Sequence, residues 1–271
     1  MQGSRADNPA LLAADEPGPV LELSRQGNSP FVIVVDHASA RIPRSLRDLG
    51  LPAEELRRHI AWDIGALAVA RRVAVTLDAA LIAQNYSRLV IDCNRDPKVE
   101  SSIPRLSEST VIAGNADLSD EQKTARRREI FDPYHQRIRE RLSAREEAGR
   151  ATILVALHSM TNVYLGARRE MHAAILYNRD RRFASLMLEN LRRDSAISVA
   201  DNEPYFLSDA TDYTIPRHGE ARGLPHVEIE LRQDLLGDEA GQAEWAERVS
   251  RALLTSQRAF LAADYCDFMR G

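Results

Sequence analysis

Phe31-Val-Ile-Val-Val35 limits what this chain can become more than any other stretch. An apolar run with no polar residue to face water belongs to a strand covered on both sides, as in a parallel sheet flanked by helices. Thr152-Ile-Leu-Val-Ala-Leu157 and Ala173-Ala-Ile-Leu-Tyr177 repeat the pattern, and Leu81-Ile-Ala83 and Leu89-Val-Ile91 read as shorter strands of the same kind. Further strands are expected near 197–200 and from His226 to Leu231. Between the strands the pattern predicts a helix from Pro52 to about Thr76, with Pro52 in its first turn. It also predicts a long charged helix from Asp120 to about Glu147, interrupted or kinked at Pro133, and helices over 181–193 and 239–263. Strands alternating with helices predict an α/β fold, a three-layer sandwich around a central mixed, mainly parallel sheet. Residues 1–20, rich in Ala, Pro, Asp and Gly, are read as a flexible N-terminal segment, and 21–271 as a single domain.

Composition narrows the function classes. A formal net charge of -4 gives no basic surface for nucleic acid. No apolar stretch approaches the roughly 18 residues that cross a bilayer. Two cysteines, Cys93 and Cys266, cannot build a disulfide framework or a thiolate metal cage. The expectation is a cytoplasmic protein with both thiols reduced and a small-molecule ligand; the oligomeric state is not readable.

Polar residues crowd the ends of the apolar runs. His37 and His158 each follow one, where ligands bind in open α/β sheets. Two such imidazoles suit a zinc ion, and a catalytic zinc takes about three protein ligands. Asp63 is the expected third ligand, on one face of the 52–76 helix with His59, four residues before it. Asp36 and His59 stay open as alternatives. Around Leu89–Ile91 stand Arg88, Asp92, Asn94 and Arg95, two guanidiniums and an amide able to grip a planar anion. Along the last strand His226, Glu228, Glu230 and Arg232 share one face, and one of the two glutamates is the candidate general base. The segments 97–120 and 201–224 are read as long loops bordering the site.

Five stretches resemble the N-formylglutamate amidohydrolase family: Asp36-His-Ala-Ser-Ala-Arg-Ile-Pro43, Tyr86-Ser-Arg-Leu-Val-Ile-Asp-Cys-Asn-Arg-Asp-Pro97, His158-Ser159, Asn202-Glu-Pro-Tyr205 and Val227-Glu-Ile-Glu-Leu231. They run in order across about three-quarters of the chain, and Ser-Arg…Asp-x-Asn-Arg is the most specific. The resemblance implies a zinc-carboxypeptidase-like fold, one zinc ion per chain bound by His37 and His158, and Glu230 as the base. It further implies substrate contacts from Arg88, Asn94 and Arg95, with Ser159, Asn202 and Tyr205 in the matching stretches. The His-x-x-Glu pair of carboxypeptidases is absent because position 40 is Ala. The expected activity is zinc-dependent hydrolysis of a small, formyl-like N-acyl amide of an acidic amino acid. Arg88 would steady the tetrahedral oxyanion. The rivals are a carboxypeptidase or deacylase acting on another substrate, and a non-catalytic anion-binding protein using only Arg88, Asn94 and Arg95.

Overall fold

The computed structural model describes residues 10–23 and 27–268. Its centre is a seven-stranded sheet. The strands in chain order are β1 Val20–Leu23, β2 Phe31–Val35, β3 Ala80–Gln84, β4 Ile153–Met160, β5 Ala173–Leu176, β6 Val199–Asp201 and β7 His226–Arg232. In space they run β1-β3-β2-β4-β7-β5-β6. The β3/β2, β2/β4, β4/β7 and β5/β6 pairs are parallel, whereas β1/β3 and β7/β5 are antiparallel. The sheet is therefore mixed and mainly parallel, as the apolar runs predict.

Alternate residues of β2 enter different cores, which is why all of Phe31–Val35 is buried. Phe31, Ile33 and Val35 face α1 (Ala66–Leu77), α3 (Arg182–Arg192) and α4 (Glu239–Phe268), in a core shared with Val69, Met187 and Trp245. Val32 and Val34 face the opposite layer, packed with Tyr134 and Ile138 of α2 (Asp132–Glu147) and with Leu89 and Ile91. Along β7, Val227, Ile229 and Leu231 belong to the first core. Their neighbours Glu228 and Glu230 point the other way, because successive strand residues alternate sides.

Three expectations need correction. The helix expected over 52–76 is two helices, Ala53–Leu56 and α1, parted by a loop that contains His59 and Asp63. Gly65 in that loop has φ 80°, and a Cβ there would come within 2.4 Å of Leu236 Cβ, so the chain turns where only glycine fits. Leu89–Ile91 is a buried turn: the Val90 N–H donates to Ser87 O at 3.0 Å and the Leu89 N–H to Ser87 Oγ at 3.1 Å. Three apolar residues signal burial, and they do not by themselves distinguish strand from turn. β4 extends through His158 to Met160, so that histidine sits within a strand rather than after one. The 120–147 helix is interrupted as expected, by a π-helical turn at Arg127–Phe131 just before Pro133, whose missing N–H breaks the regular ladder. Within 97–120, Leu106–Ser107 and Thr110–Val111 form a small hairpin.

Of the expected N-terminal segment, residues 1–9 lie outside the described residues. Residues 10–19 lie against the domain: Leu11 is buried, and the Tyr86 hydroxyl donates to Pro17 O at 2.7 Å. β1 was not expected from the sequence. Cys93 is buried and free; the Cys266 side chain lies outside the described residues. No helix among the described residues is long and apolar enough to cross a membrane.

Candidate active site and metal centre

The carboxyl ends of β2, β4 and β7 open onto a cavity of about 710 Å³. Its walls include His37, Asp63, Arg88, Asn94, Arg95, His158, Ser159, Tyr205, Glu228 and Glu230. Residues from six separate segments of the chain thus meet in one place. Asn202 does not line it: its side chain bonds the backbone N–H and C=O of Tyr177, at 2.9 and 3.0 Å, and so ties β5 to β6. His59 lines the cavity but faces Glu108, with Nε2 3.4 Å from Oε1, rather than orienting Asp63.

The two histidines and Asp63 stand face to face. The Asp63 backbone N–H donates to His37 O at 2.9 Å, which pins the 57–65 loop to the end of β2. Asp63 Oδ2 lies 3.3 Å from His37 Nδ1 and 2.8 Å from His158 Nδ1. Outward, His37 Nε2 is 2.8 Å from Asp92 Oδ1 and His158 Nε2 is 3.2 Å from Asp36 Oδ2. Asp36 is itself held by Tyr134 and Thr214, whose hydroxyls each donate to Oδ1 at 2.8 Å. Asp36, an alternative ligand on the sequence alone, and Asp92 each back one imidazole.

Both nitrogens of both rings therefore face carboxylate oxygens. A neutral imidazole has one N–H, so one of its nitrogens must turn a lone pair toward an oxygen lone pair. A positive charge at the centre resolves the conflict, supplied either by extra protons or by a metal ion. With metal, each Nε2–H donates to its carboxylate and each Nδ1 becomes a ligand, the usual arrangement of carboxylate, histidine and metal. His37, Asp63 and His158 offer ligand atoms all within 4.8 Å of one another, and all three residues are buried. The donor set fits a divalent ion.

The protein's own charges tell the same story. Burial and Arg88 press the His37 pKa down, yet Asp92 and Asp63 hold it above its usual value. Burial likewise opposes a charge on His158, but Glu228, Asp36 and Asp63 push it well up. Burial alone would raise Asp63, and the facing histidines keep it low. Asp36 is lowered to about 2 against its burial, chiefly by His158.

The two glutamates of β7 behave differently. Burial lifts Glu230 to about 7, only partly offset by His158. Its Oε1 accepts from the Tyr205 hydroxyl at 3.3 Å, and its buried Oε2 has no hydrogen-bond partner among the described residues. Glu230 is level with His158 in the β7/β4 register, and Glu228 with Ala156, one pleat deeper. Burial raises Glu228 well above its usual range.

The arginines are braced by acids. Arg88 donates from Nε and Nη2 to Asp92 Oδ2, at 3.1 and 2.7 Å, and its Nη1 lies 3.7 Å from Asp63 Oδ1. Arg95 Nη1 reaches Asn94 O at 3.2 Å and Asp212 at 3.5 Å. Asn94 accepts from the Tyr213 and Thr214 N–H groups, both at 3.0 Å, and donates to Asp212 at 3.1 Å, so its amide docks the 212–214 segment. Asp212 had no signal in the sequence, since it is one of several acids in an irregular stretch and nothing local marks its partners.

A family model described as N-formylglutamate amidohydrolase matches residues 29–237. A crystal structure of a gene product from Agrobacterium tumefaciens is 36% identical, with the alignment covering 92% of this chain and 98% of that one and a TM-score of 0.89. An N-formylglutamate amidohydrolase from Ralstonia eutropha JMP134 has the same fold at 21% identity, covering 89% of this chain and 98% of that one with a TM-score of 0.61. None of the curated proteins matches the chain.

Proposed function

The chain belongs to the N-formylglutamate amidohydrolase family, and from that premise we propose that it is a zinc-dependent hydrolase removing an N-acyl group from an acidic amino acid or a related carboxylate. The observation that carries this reading is the facing of His37 Nδ1, His158 Nδ1 and Asp63 Oδ2 within 4.8 Å. These three would hold one zinc ion, which supplies Lewis-acid polarisation of the acyl carbonyl and of water.

The chain's own residues do the remaining work. Glu230 takes a proton from the attacking water as the carbon–oxygen bond forms. It then passes the proton to the amide nitrogen as the carbon–nitrogen bond breaks, releasing a carboxylic acid and an amine. Burial raises this carboxylate in the metal-free site and a bound cation would draw it back down, so it can both take up and give up a proton. The Tyr205 hydroxyl on Oε1 leaves Oε2 as the proton carrier. Arg88, fixed in place by Asp92, offers positive charge to the oxyanion that develops on the acyl oxygen. Arg95 anchors the substrate carboxylate, with Asn94 holding the adjoining wall and Ser159 bracing the Asp63 loop through its bond to Ile64 O at 2.8 Å.

Metal analysis and a hydrolysis assay on one preparation test the reading. The expected result is about one zinc per chain and release of free glutamate from an N-acyl glutamate. Protein that takes up no zinc and hydrolyses no N-acyl amino acid would refute it. Carboxylate binding under those conditions would then favour a non-catalytic role.

A further inference from the structure

We infer that the mouth of the cavity is a subsite for an apolar acyl group larger than formyl, an inference that rests on the amidohydrolase reading. The cavity of about 710 Å³ is of the size, roughly 300–1,000 Å³, that encloses a drug-sized ligand. An amino acid carrying a one-carbon acyl group leaves most of it unfilled.

The lining is divided by character. One wall carries Arg88, Asp92, Asn94, Arg95 and Asp212. The mouth is made by three loops, each contributing large apolar side chains that remain open to solvent. Leu106, on the hairpin in 97–120, is 58% exposed, and Tyr164, on the hairpin pairing Val163 with Arg168, is 42% exposed. Tyr205 and Phe206, after β6, are 40% and 68% exposed. All four line this one cavity. Apolar residues scattered singly over a surface need no explanation, whereas a cluster rimmed by polar groups marks a binding groove.

The rim is also preformed. The Arg169 guanidinium lies over the Tyr164 ring at 5.2 Å and the Tyr205 ring at 5.3 Å, so one cation joins two of the loops. Its Nη1 donates to Thr161 O at 3.3 Å, which fixes it from below.

Tyr205 assigns the rim to the acyl side. Its hydroxyl touches Glu230, the base, while its ring borders the mouth. The apolar surface therefore adjoins the point where the acyl carbon is attacked, and Arg95 is left for the amino-acid carboxylate. A formyl carbon bears only hydrogen and would leave the rim untouched.

The test compares N-formyl-, N-acetyl- and N-hexanoyl-L-glutamate. Hydrolysis is followed with the zinc-loaded wild type, and equilibrium binding with zinc-loaded Glu230→Gln by calorimetry. Since even one methylene in an apolar pocket changes specificity by about tenfold or more, affinity and kcat/KM should each rise at least about tenfold from formyl to hexanoyl. The double variant Leu106→Ser/Phe206→Ser should collapse the hexanoyl-to-formyl ratio. Hexanoyl binding no tighter than formyl overturns the inference, as does a ratio unmoved by the double variant. A preference that follows the amino-acid side chain in N-formyl-leucine against N-formyl-glutamate overturns it too. Self-association abolished by the double variant, with the acyl ratio unmoved, would assign the rim to contact between copies. Graded binding without hydrolysis of any of the three supports the subsite and removes the amidohydrolase reading instead.

Discussion

Replacing Glu230 by glutamine should stop turnover and, in metal-free protein, make the fold more stable as the pH rises. The Glu230 side chain is buried, and its pKa moves from the usual 4.5 to about 7, first because burial disfavours its charge. The folded state thus holds this proton more tightly than the unfolded chain. The stability it contributes is fully present below pH 4.5 and is lost as the pH climbs through 7. At about 1.36 kcal/mol per pH unit, that interval corresponds to about 3 kcal/mol. Glutamine keeps the shape of the neutral acid and cannot ionise. Urea denaturation of chelator-treated wild type and Glu230→Gln, run at pH values from 4.5 to 8.5, should show the variant gaining on the wild type by about 3 kcal/mol up to pH 7, then levelling off. Zinc should shrink that difference, because a nearby cation favours the ionised carboxylate. With zinc bound, kcat should fall by roughly 10²-fold or more, the loss expected for a general base. A stability difference independent of pH would refute the account of Glu230 as a proton-holding group, and an active variant would refute it as the base.

Three more outcomes follow from the geometry. His37→Ala and His158→Ala should each lose zinc retention while circular dichroism stays that of the folded chain; normal zinc content in either variant removes that residue from the ligand set. Arg95→Lys should raise KM for carboxylate substrates by about tenfold, the scale of one hydrogen bond to a charged group, with kcat little changed; an unaltered KM makes Arg95 purely a brace for Asp212. Gly65→Ala, placing a Cβ 2.4 Å from Leu236 Cβ at a φ of 80°, should cost about 1–3 kcal/mol by overpacking and weaken zinc binding by moving Asp63. Unchanged denaturation and unchanged zinc affinity together would contradict the view that this turn positions the aspartate.

What the sequence disclosed followed the reach of its signals. Runs such as Phe31–Val35 are long enough to specify strands buried on both faces, and the structure has them so. The two-residue period of His226–Arg232 placed Glu228 and Glu230 on one face correctly. Asp63 was named from a helical spacing that does not exist; it reaches the histidines because the helix ends at Leu56 and the loop turns back at Gly65. Leu89–Ile91 was buried, as its apolar character required, but a segment that short carries no period from which to tell strand from turn. Partners such as Asp212 to Asn94, or Arg169 to Tyr205, lie far apart in the chain and left no local mark.

The way charge is packed explains why this site draws positive charge, as protons or as a metal ion. Asp36, Asp63, Asp92, Glu228 and Glu230 are all buried, and Arg88 forms ion pairs with Asp63 and Asp92 but with neither glutamate. At an effective dielectric of about 20, two unit charges 4 Å apart interact by about 4 kcal/mol, so such a cluster of acids cannot all ionise unaided. The protein alone answers by taking up protons: His37, His158, Glu228 and Glu230 are all displaced toward their protonated forms. A divalent ion at His37, Asp63 and His158 would answer the same excess with fewer protons, leaving the imidazoles neutral and Glu230 free to ionise. Proton uptake and metal binding are therefore competing solutions to one electrostatic problem. The carboxylates behind the histidines, which touch no substrate, are what set the terms of that competition.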